Sequence, residues 1–244
     1  MTLIGRTRAR GIETLSLDSA DTRNALSAAL VGELADALTE CAKDGDVRAV
    51  VLTHSGNTFC AGADLRDPPH PDALVDLLRQ IVELRKPVLA RVTGHVRAGG
   101  LGLLAACDIA AASAASSFAF TEVRIGVAPA VISLSVIPRA DPRALARYYL
   151  TGERFDAAEA ARIGLVTAAG DDVDAVLEPI LDGLRRSSPQ GLAETKQLLT
   201  ARVLEAFDRD AADLTALSAR LFSSAQACEG MTAFLERRDP SWVM

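Results

Sequence analysis

One stretch, Thr93-Gly-His-Val-Arg-Ala-Gly-Gly-Leu-Gly-Leu-Leu-Ala-Ala-Cys-Asp108, decides the fold that we predict for this chain. Its glycines predict a tight turn, because glycine adopts backbone conformations that other residues avoid. The turn leads into a short apolar helix. Apolar runs at 88–92 before it and at 108–112 after it predict buried strands. A strand, a turn, a helix and a further strand in this order are typical of a layered α/β structure.

The same alternation continues on both sides of this stretch. Apolar patterns predict strands at 13–18 and 49–53, and helices at 27–43, with Ser27 as its cap, and at 71–85. After about residue 143 the pattern is helical, with predicted helices at 143–150, 157–163, 173–186, 189–207, 208–224 and 228–237. Residues 165–168 could still form a short strand that returns to the core. We predict an α/β core over 1–186 and a C-terminal helical region over 187–244.

Composition excludes several classes of protein. The 244 residues are 49% apolar and 24% charged, which is an ordinary globular balance. A net charge of −6 gives no field that attracts nucleic acid or an anionic membrane. The longest Ala-rich stretch, 101–120, contains Asp108, so we expect no membrane span, and the first ten residues lack the apolar core of a secretory signal. The four cysteines form no CxxC motif, which predicts free buried thiols and a cytoplasmic location.

A second turn, Phe59-Cys-Ala-Gly-Ala-Asp-Leu65, follows a predicted strand. Small residues in both turns let the backbone approach a ligand closely, with N–H groups aimed at an anion or a polarised oxygen. If the two turns converge, they make an oxyanion hole, to which the helix after Gly99 adds its positive end. The alternative is that both are only tight connections between packed elements.

Two other kinds of site are weaker hypotheses. Gly100-Leu-Gly102 with Glu122 twenty residues later resembles a dinucleotide-binding fingerprint, but Gly102 stands ten residues beyond the strand end at Val92, whereas the fingerprint needs its glycines directly after the strand. The three histidines have no Cys or His at ligand spacing, so we expect no metal site.

Six segments together resemble the crotonase (enoyl-CoA hydratase/isomerase) superfamily over nearly the whole chain. They are Arg23-Asn-Ala-Leu26, the 59–65 turn, Gly94 to Asp108, Leu150-Thr-Gly through Gly164-Leu-Val166, Thr195-Lys196 with Leu199, and Glu229-Gly-Met-Thr-Ala-Phe234. The resemblance implies an α/β fold, a spiral of ββα units with a C-terminal helical trimerisation region. It also implies a homotrimer or a hexamer built as a dimer of trimers.

The resemblance implies an acyl-CoA site as well. The N–H groups of Ala63 and Gly99 would hold the thioester oxygen, and Glu122 would be the acid/base. Coenzyme A enters as part of the substrate, so no separate cofactor is expected. The positions that would contact substrate or CoA are Arg23, Ala25, Ala61, Ala63, Asp64, Leu65, Val96, Gly99 and Gly102, with Phe234 and Arg237 from a neighbouring subunit.

The chain departs from the two-glutamate hydratase pattern at one position. Gly102 stands where the first acid is expected, so only the second, Glu122, is present. A single acid suits 3,2-enoyl-CoA isomerisation, and Ala130 in place of a further acid disfavours dienoyl isomerisation. The P-A-x-I-S segment at 129–133 is similar to that of methylglutaconyl-CoA-type hydratases. Hydration of a short or branched 2-enoyl-CoA is therefore the first hypothesis, and isomerisation or a catalytically silent CoA-binding paralogue is the alternative. In a hydratase, Glu122 needs a further group to place the water, and the candidates are His95, Arg97 and Ser133.

Overall fold

A computed structural model describes residues 2–244, and within this range the chain forms ten strands and nine α-helices. The strands are β1 (Ile4–Ala9), β2 (Ile12–Leu17), β3 (Ala49–His54), β4 (Thr58–Cys60), β5 (Val88–Val92), β6 (His95–Arg97), β7 (Ile109–Ser113), β8 (Ser117–Ala119), β9 (Phe155–Asp156) and β10 (Ala168–Gly170). The helices are α1 (Ala28–Lys43), α2 (Pro71–Glu83), α3 (Gly99–Ala106), α4 (Ser133–Val136), α5 (Pro142–Thr151), α6 (Ala157–Arg162), α7 (Val173–Arg186), α8 (Pro189–Phe222) and α9 (Ala225–Glu236).

The strands form two sheets, between which the chain alternates from β3 to β8. The larger has the order β1-β2-β3-β5-β7-β10, with β1 antiparallel and the others parallel. The smaller has the order β4-β6-β8-β9, with only β9 antiparallel. From β3 onward, successive turns of the spiral give one strand to each sheet before a helix, as in β3-β4-α2 and β5-β6-α3, whereas β1 and β2 before α1 both lie in the larger sheet. This confirms the predicted ββα architecture.

Helix α1 shows how closely the local patterns predict the structure. Ser27 caps it by accepting a hydrogen bond from the Leu30 nitrogen at 3.2 Å. Its buried residues include Leu30, Leu34, Ala37, Leu38 and Cys41, which recur at helical spacing. The amphipathic stripe therefore faces the core, as expected.

Two local predictions were wrong, and several short elements were not predicted. The helices predicted at 189–207 and 208–224 are one helix, α8, because no proline or glycine interrupts the chain at the junction and the buried Phe207 continues its apolar face. The short strand β10 lies at 168–170 rather than 165–168, and β1 was missed. The division into a core over 1–186 and a helical region over 187–244 stays a prediction, and it falls between α7 and α8.

A buried ion pair fixes α8 to the rest of the molecule. The Lys196 ammonium lies 2.8 Å from the Asp108 carboxylate, and it also donates to the carbonyls of Ile81 at 2.8 Å and Lys86 at 3.1 Å. The same carboxylate accepts from the Val88 nitrogen at 2.8 Å. These bonds explain why an aspartate follows α3 and a lysine stands in α8. Between Thr2 and Met244, no helix combines the length and the apolar character that crossing a membrane requires.

Candidate active site

In the 59–65 turn, the backbone N–H of Ala63 points away from Leu26, the residue with which the turn pairs. Leu26 forms an isolated parallel bridge with Ala63, in which the Leu26 nitrogen donates to Gly62 at 2.8 Å and the Asp64 nitrogen donates to Leu26 at 2.9 Å. In a parallel bridge the residue between two bonded partners turns its own N–H to the opposite side. The Ala63 N–H therefore faces away from Leu26.

The second turn lies directly beside this amide. A Cβ atom on Gly99 would lie 3.6 Å from the Ala63 nitrogen, and one on Gly62 would lie 3.5 Å from the Gly99 nitrogen. Neither the Ala63 N–H nor the Gly99 N–H has an acceptor within residues 2–244. Gly99 is the first residue of α3, so its N–H is one of those that a helix start leaves free. The two turns that the sequence singled out are thus neighbours, each with a free N–H.

Backbone strain accompanies this close approach. Ala98 has φ +46°, and Gly62 has φ +97°. A Cβ on Gly62 would meet the Ala98 Cβ at 2.8 Å, so position 62 has no room for a side chain. Strained backbone of this kind clusters at ligand-binding sites, where the surrounding structure holds it.

The Arg23-Asn-Ala-Leu26 segment holds the first turn in place. Asn24 is buried, accepts from the Ser19 nitrogen at 2.8 Å and donates to the Thr58 carbonyl at 2.7 Å. Arg23 is exposed, and its carbonyl accepts from the Ala61 nitrogen at 3.1 Å. Ala25 is buried between them. The sequence marked Arg23 but missed Asn24, whose position in the same motif was the available signal.

The other residues predicted to contact CoA differ in how exposed their side chains are. Ala61, Asp64 and Leu65 are half-buried on the loop after β4, beside the free Ala63 amide. Val96 is fully buried within β6, where it pairs with Cys60 and Phe118. Its side chain belongs to the core.

Glu122 is a buried carboxyl with little to compensate its charge. It begins a 3₁₀ helix, Glu122–Ile125, three residues after the end of β8, and the last residue of β8 accepts from the Ala98 nitrogen at 3.1 Å. The residue is 7% exposed, and its Oε2 has no partner among the described residues. Burial raises the pKa of Glu122 to about 7. Arg124, which could have neutralised it at a surface, donates instead to the Thr151 carbonyl at 3.2 Å.

Ile132 occupies the space above Gly102. A Cβ atom at position 102 would lie 2.5 Å from the Ile132 Cγ2 and 2.8 Å from its Cβ. The Ser135 hydroxyl donates to the Gly102 carbonyl at 2.9 Å and ties the two segments together. The Ile132 side chain therefore fills the space that a side chain at position 102 would need. No glutamate fits at position 102 while Ile132 is present.

The three candidates for placing water have different surroundings. Arg97 donates to the Ser117 carbonyl at 2.6 Å, and the His95 ring lies 3.0 Å from the Ser117 hydroxyl, at the other end of β8 from Glu122. Burial and the nearby Arg154 lower the pKa of Arg97 to about 10. Only Ser133 is on the Glu122 side. Its hydroxyl donates to the Pro129 carbonyl at 2.6 Å.

Tyr149 is a neighbour of Ser133 that the sequence did not reveal. Its hydroxyl lies 3.4 Å from the Ser133 hydroxyl, and its ring centroid lies 4.5 Å from that of Phe120. Burial is the main cause that raises the pKa of the Tyr149 phenol, and the charge of Glu122 adds to it. No local motif marks this residue, because a tyrosine on an amphipathic helix is ordinarily part of the core.

The C-terminal helix α9 packs on the turn that carries Glu122. A Cβ on Gly230 would lie 2.5 Å from the Ile125 carbonyl carbon, and one on Gly126 would lie 2.6 Å from the Gln226 carbonyl oxygen. These contacts explain the glycine of the Glu229-Gly-Met segment. Phe234 is 63% exposed on the same helix, and Arg237 is the exposed residue that ends it.

The glycines that resemble a dinucleotide fingerprint serve packing instead. Both lie inside α3, and a Cβ on Gly100 would lie 2.7 Å from the Cys60 Cβ. Across residues 2–244, no group of three or more His, Cys, Asp or Glu side chains is placed to hold a metal ion.

Comparison with known proteins agrees with the resemblance seen in the sequence. The family model described as enoyl-CoA hydratase/isomerase matches residues 7–244. A Rhodobacter capsulatus protein named "Probable enoyl-CoA hydratase" is 33% identical over 96% of this chain and 95% of its own length. The carnitinyl-CoA dehydratase of Proteus mirabilis is 30% identical over 90% of each chain. The crystal structure of an enoyl-CoA hydratase from Mycobacterium avium superposes with a TM-score of 0.93, at 51% identity over the full length of both chains. The chain belongs to the enoyl-CoA hydratase/isomerase family and has the crotonase fold.

Proposed function

We propose that this protein is an enoyl-CoA hydratase that adds water to a short or branched 2-enoyl-CoA thioester. The observation that carries the proposal is the pair of free N–H groups on Ala63 and Gly99 in adjoining turns. These turns and the buried Glu122 follow the carboxyl ends of the three parallel strands β4, β6 and β8. The named relatives, which include a hydratase and a dehydratase, support water addition or removal as the chemistry.

In this mechanism the thioester oxygen accepts hydrogen bonds from both free amides. The ionised Glu122 takes a proton from water while the water oxygen bonds to C3, and the C2–C3 π electrons move into an enolate that the two amides hold. Protonated Glu122 then returns the proton to C2. One carboxyl suffices, because the proton taken from water is the one that C2 receives. Loss of one oxyanion donor typically costs about 2.7–4 kcal/mol of transition-state stabilisation.

Coenzyme A would lie along the half-buried loop of Ala61, Asp64 and Leu65, with Arg23 and Ala25 near its nucleotide end. Phe234 and Arg237 would contact CoA bound to a neighbouring subunit of a trimer or a dimer of trimers. Exposed apolar side chains support assembly, since a contiguous exposed apolar patch marks a contact surface between proteins. They include Leu198 and Leu199 on α8 and Leu235 on α9.

A second candidate function is 3,2-enoyl-CoA isomerisation. The contact between Ile132 and Gly102 favours it, because it leaves Glu122 as the one carboxyl that could move a proton between C2 and C4. Isomerisation needs no water at C3, whereas hydration does.

Absorbance of the conjugated thioester distinguishes these functions. The purified protein is incubated with crotonyl-CoA, 3-methylglutaconyl-CoA and a 3-enoyl-CoA. Hydration lowers the absorbance of the first two, and isomerisation raises that of the third. No change with any substrate, together with a CoA-dependent increase in melting temperature, would identify a silent CoA-binding paralogue and refute the proposal. Glu122→Gln should abolish turnover and keep CoA binding, and an unchanged rate would remove Glu122 from the mechanism.

A further inference from the structure

The proposed hydratase site needs a polar group besides Glu122, and position 102 cannot supply one. A water molecule that attacks C3 must be held by more than the base that deprotonates it, because orientation contributes much of the rate. Ile132 fills the space of the absent acid, and the Glu122 Oε2 is buried without a partner in the part of the chain that the structure describes. A buried oxygen without a hydrogen bond is unfavourable, so a donor or a bound water is expected beside it.

Tyr149 is the residue whose hydroxyl proton is free to fill this role. Ser133 has one hydroxyl proton, and its 2.6 Å bond to the Pro129 carbonyl uses it. At 3.4 Å the two hydroxyl oxygens lie beyond the distance of about 3.0 Å within which O–H···O hydrogen bonds usually fall, so Ser133 does not hold the phenolic proton of Tyr149, which stays available to a closer acceptor. The raised pKa of the phenol keeps that proton in place at physiological pH.

The fold brings Tyr149 to the Glu122 turn by two contacts. The ring packs on Phe120, two residues before Glu122. The end of α5 packs against the same segment, since a Cβ on Gly152 would lie 3.1 Å from the Phe120 carbonyl oxygen. The charge of Glu122 is one of the causes that raise the pKa of the Tyr149 phenol.

We propose that Tyr149 is the second catalytic residue of the site, whose hydroxyl donates a hydrogen bond to the water that Glu122 deprotonates, and that Ser133 positions this hydroxyl. This inference rests on the proposed hydratase function. A neutral donor can orient water without bringing a second negative charge next to Glu122, and it fits beside Ile132, where a carboxylate at position 102 does not.

The adjacent Tyr148 provides a matched control. It lies on the same helix, but its hydroxyl bonds to the Glu159 carboxylate at 2.6 Å and its ring packs on Phe155 with centroids 4.2 Å apart. Tyr148→Phe removes the same atom from the same helix without touching the site.

The test measures two reactions of wild type, Tyr149→Phe and Tyr148→Phe. The first is hydration of crotonyl-CoA. The second is exchange of the C2 hydrogens of butyryl-CoA in D₂O, which uses Glu122 and the oxyanion amides but needs no water at C3. We expect Tyr149→Phe to lower kcat for hydration roughly tenfold, the effect of one hydrogen bond of about 1.4 kcal/mol, with little change in KM. Its exchange rate should equal that of wild type, and Tyr148→Phe should keep both rates.

Three results would overturn the inference. Hydration by Tyr149→Phe at the wild-type rate would show that the phenol has no role. Equal losses in hydration and exchange would show that the residue only maintains the site. A wild-type protein that hydrates no enoyl-CoA would refute the proposed function and this inference with it. If Tyr149→Phe does not fold, Ser133→Ala provides the test. It should lower the hydration rate several-fold and leave the exchange rate unchanged. A hydration rate equal to that of wild type would refute the role of Tyr149 and Ser133.

Discussion

Glu122→Gln should change the pH dependence of stability, and this prediction does not depend on the identity of the substrate. Burial raises the pKa of Glu122 from 4.5 to about 7, so the folded protein holds this proton more tightly than the unfolded chain does. The stabilisation is fully present below pH 4.5 and is lost progressively as the pH rises to 7. Each pH unit between the two pKa values corresponds to about 1.36 kcal/mol, which gives a total of about 3 kcal/mol.

Urea unfolding of wild type and Glu122→Gln at pH 4.5 and pH 8, at one protein concentration, measures this effect. The difference in free energy of unfolding between a buried amide and a buried protonated acid is the same at both pH values. The change in this difference from one pH to the other therefore reports only the titration of Glu122. The free energy of unfolding of the variant, relative to wild type, should rise by about 3 kcal/mol from pH 4.5 to pH 8. Glu229→Gln is the control, and its difference from wild type should stay nearly constant between these two pH values, because Arg238 lowers the pKa of Glu229 to about 2 and keeps its carboxylate ionised in the folded protein. The stability that Glu229 contributes is lost as the pH falls below 4.5 toward 2. A difference for Glu122→Gln that stays constant with pH would show that its carboxyl is solvated, and would refute the reasoning.

Three further substitutions test contacts around the site. Lys196→Met should lower the free energy of unfolding by about 3–5 kcal/mol, because it leaves the buried Asp108 carboxylate unpaired, and a loss below 1 kcal/mol in chemical unfolding would contradict this. Gly102→Glu should lower the free energy of unfolding by about 1–3 kcal/mol or more, because the new side chain clashes with Ile132. Ile132→Gly should relieve part of that loss. If the free-energy changes of the two substitutions are strictly additive in a double-mutant cycle, the two side chains are not in contact as described. Gly230→Ala should lower kcat by displacing the turn that carries Glu122, the proposed acid/base, and turnover at the wild-type rate would show that α9 does not hold that turn.

The sequence predicts most of the architecture, because that depends on local patterns. The face of α1 and its Ser27 cap follow from helical spacing alone. The continuity of α8 was harder to predict, because Asp208 after Phe207 resembles the start of a new helix. Only the burial of Phe207 in the folded chain shows that the helix continues. Likewise, a short strand such as β10 depends on its neighbour β7 more than on its own residues.

The candidate site, like the fold, could be predicted from the sequence only in part. Spacing along the chain shows that the acid at position 102 is absent and that Glu122 remains. It does not show that Ile132 fills the space, because residues thirty positions apart meet only in the folded chain. The contact of Tyr149 with Ser133 was hidden from sequence reasoning for the same reason. The orientation of His95 and Arg97 away from the core was accessible, since strand alternation places both opposite the buried Val96.

Cysteine burial was predicted only in part. Cys41, Cys60 and Cys107 are buried free thiols, but Cys228 is exposed on α9. A composition argument treats the four alike, whereas the helical face on which each residue lies decides its exposure.

The most direct test of the proposed function is the hydration of crotonyl-CoA, followed as loss of the conjugated-thioester absorbance, by wild type and by Glu122→Gln in parallel. The two free amides and the single buried acid predict steady turnover by wild type and none by the variant, with CoA binding retained in both. Equal turnover by the two proteins, or none by wild type, would contradict the proposal.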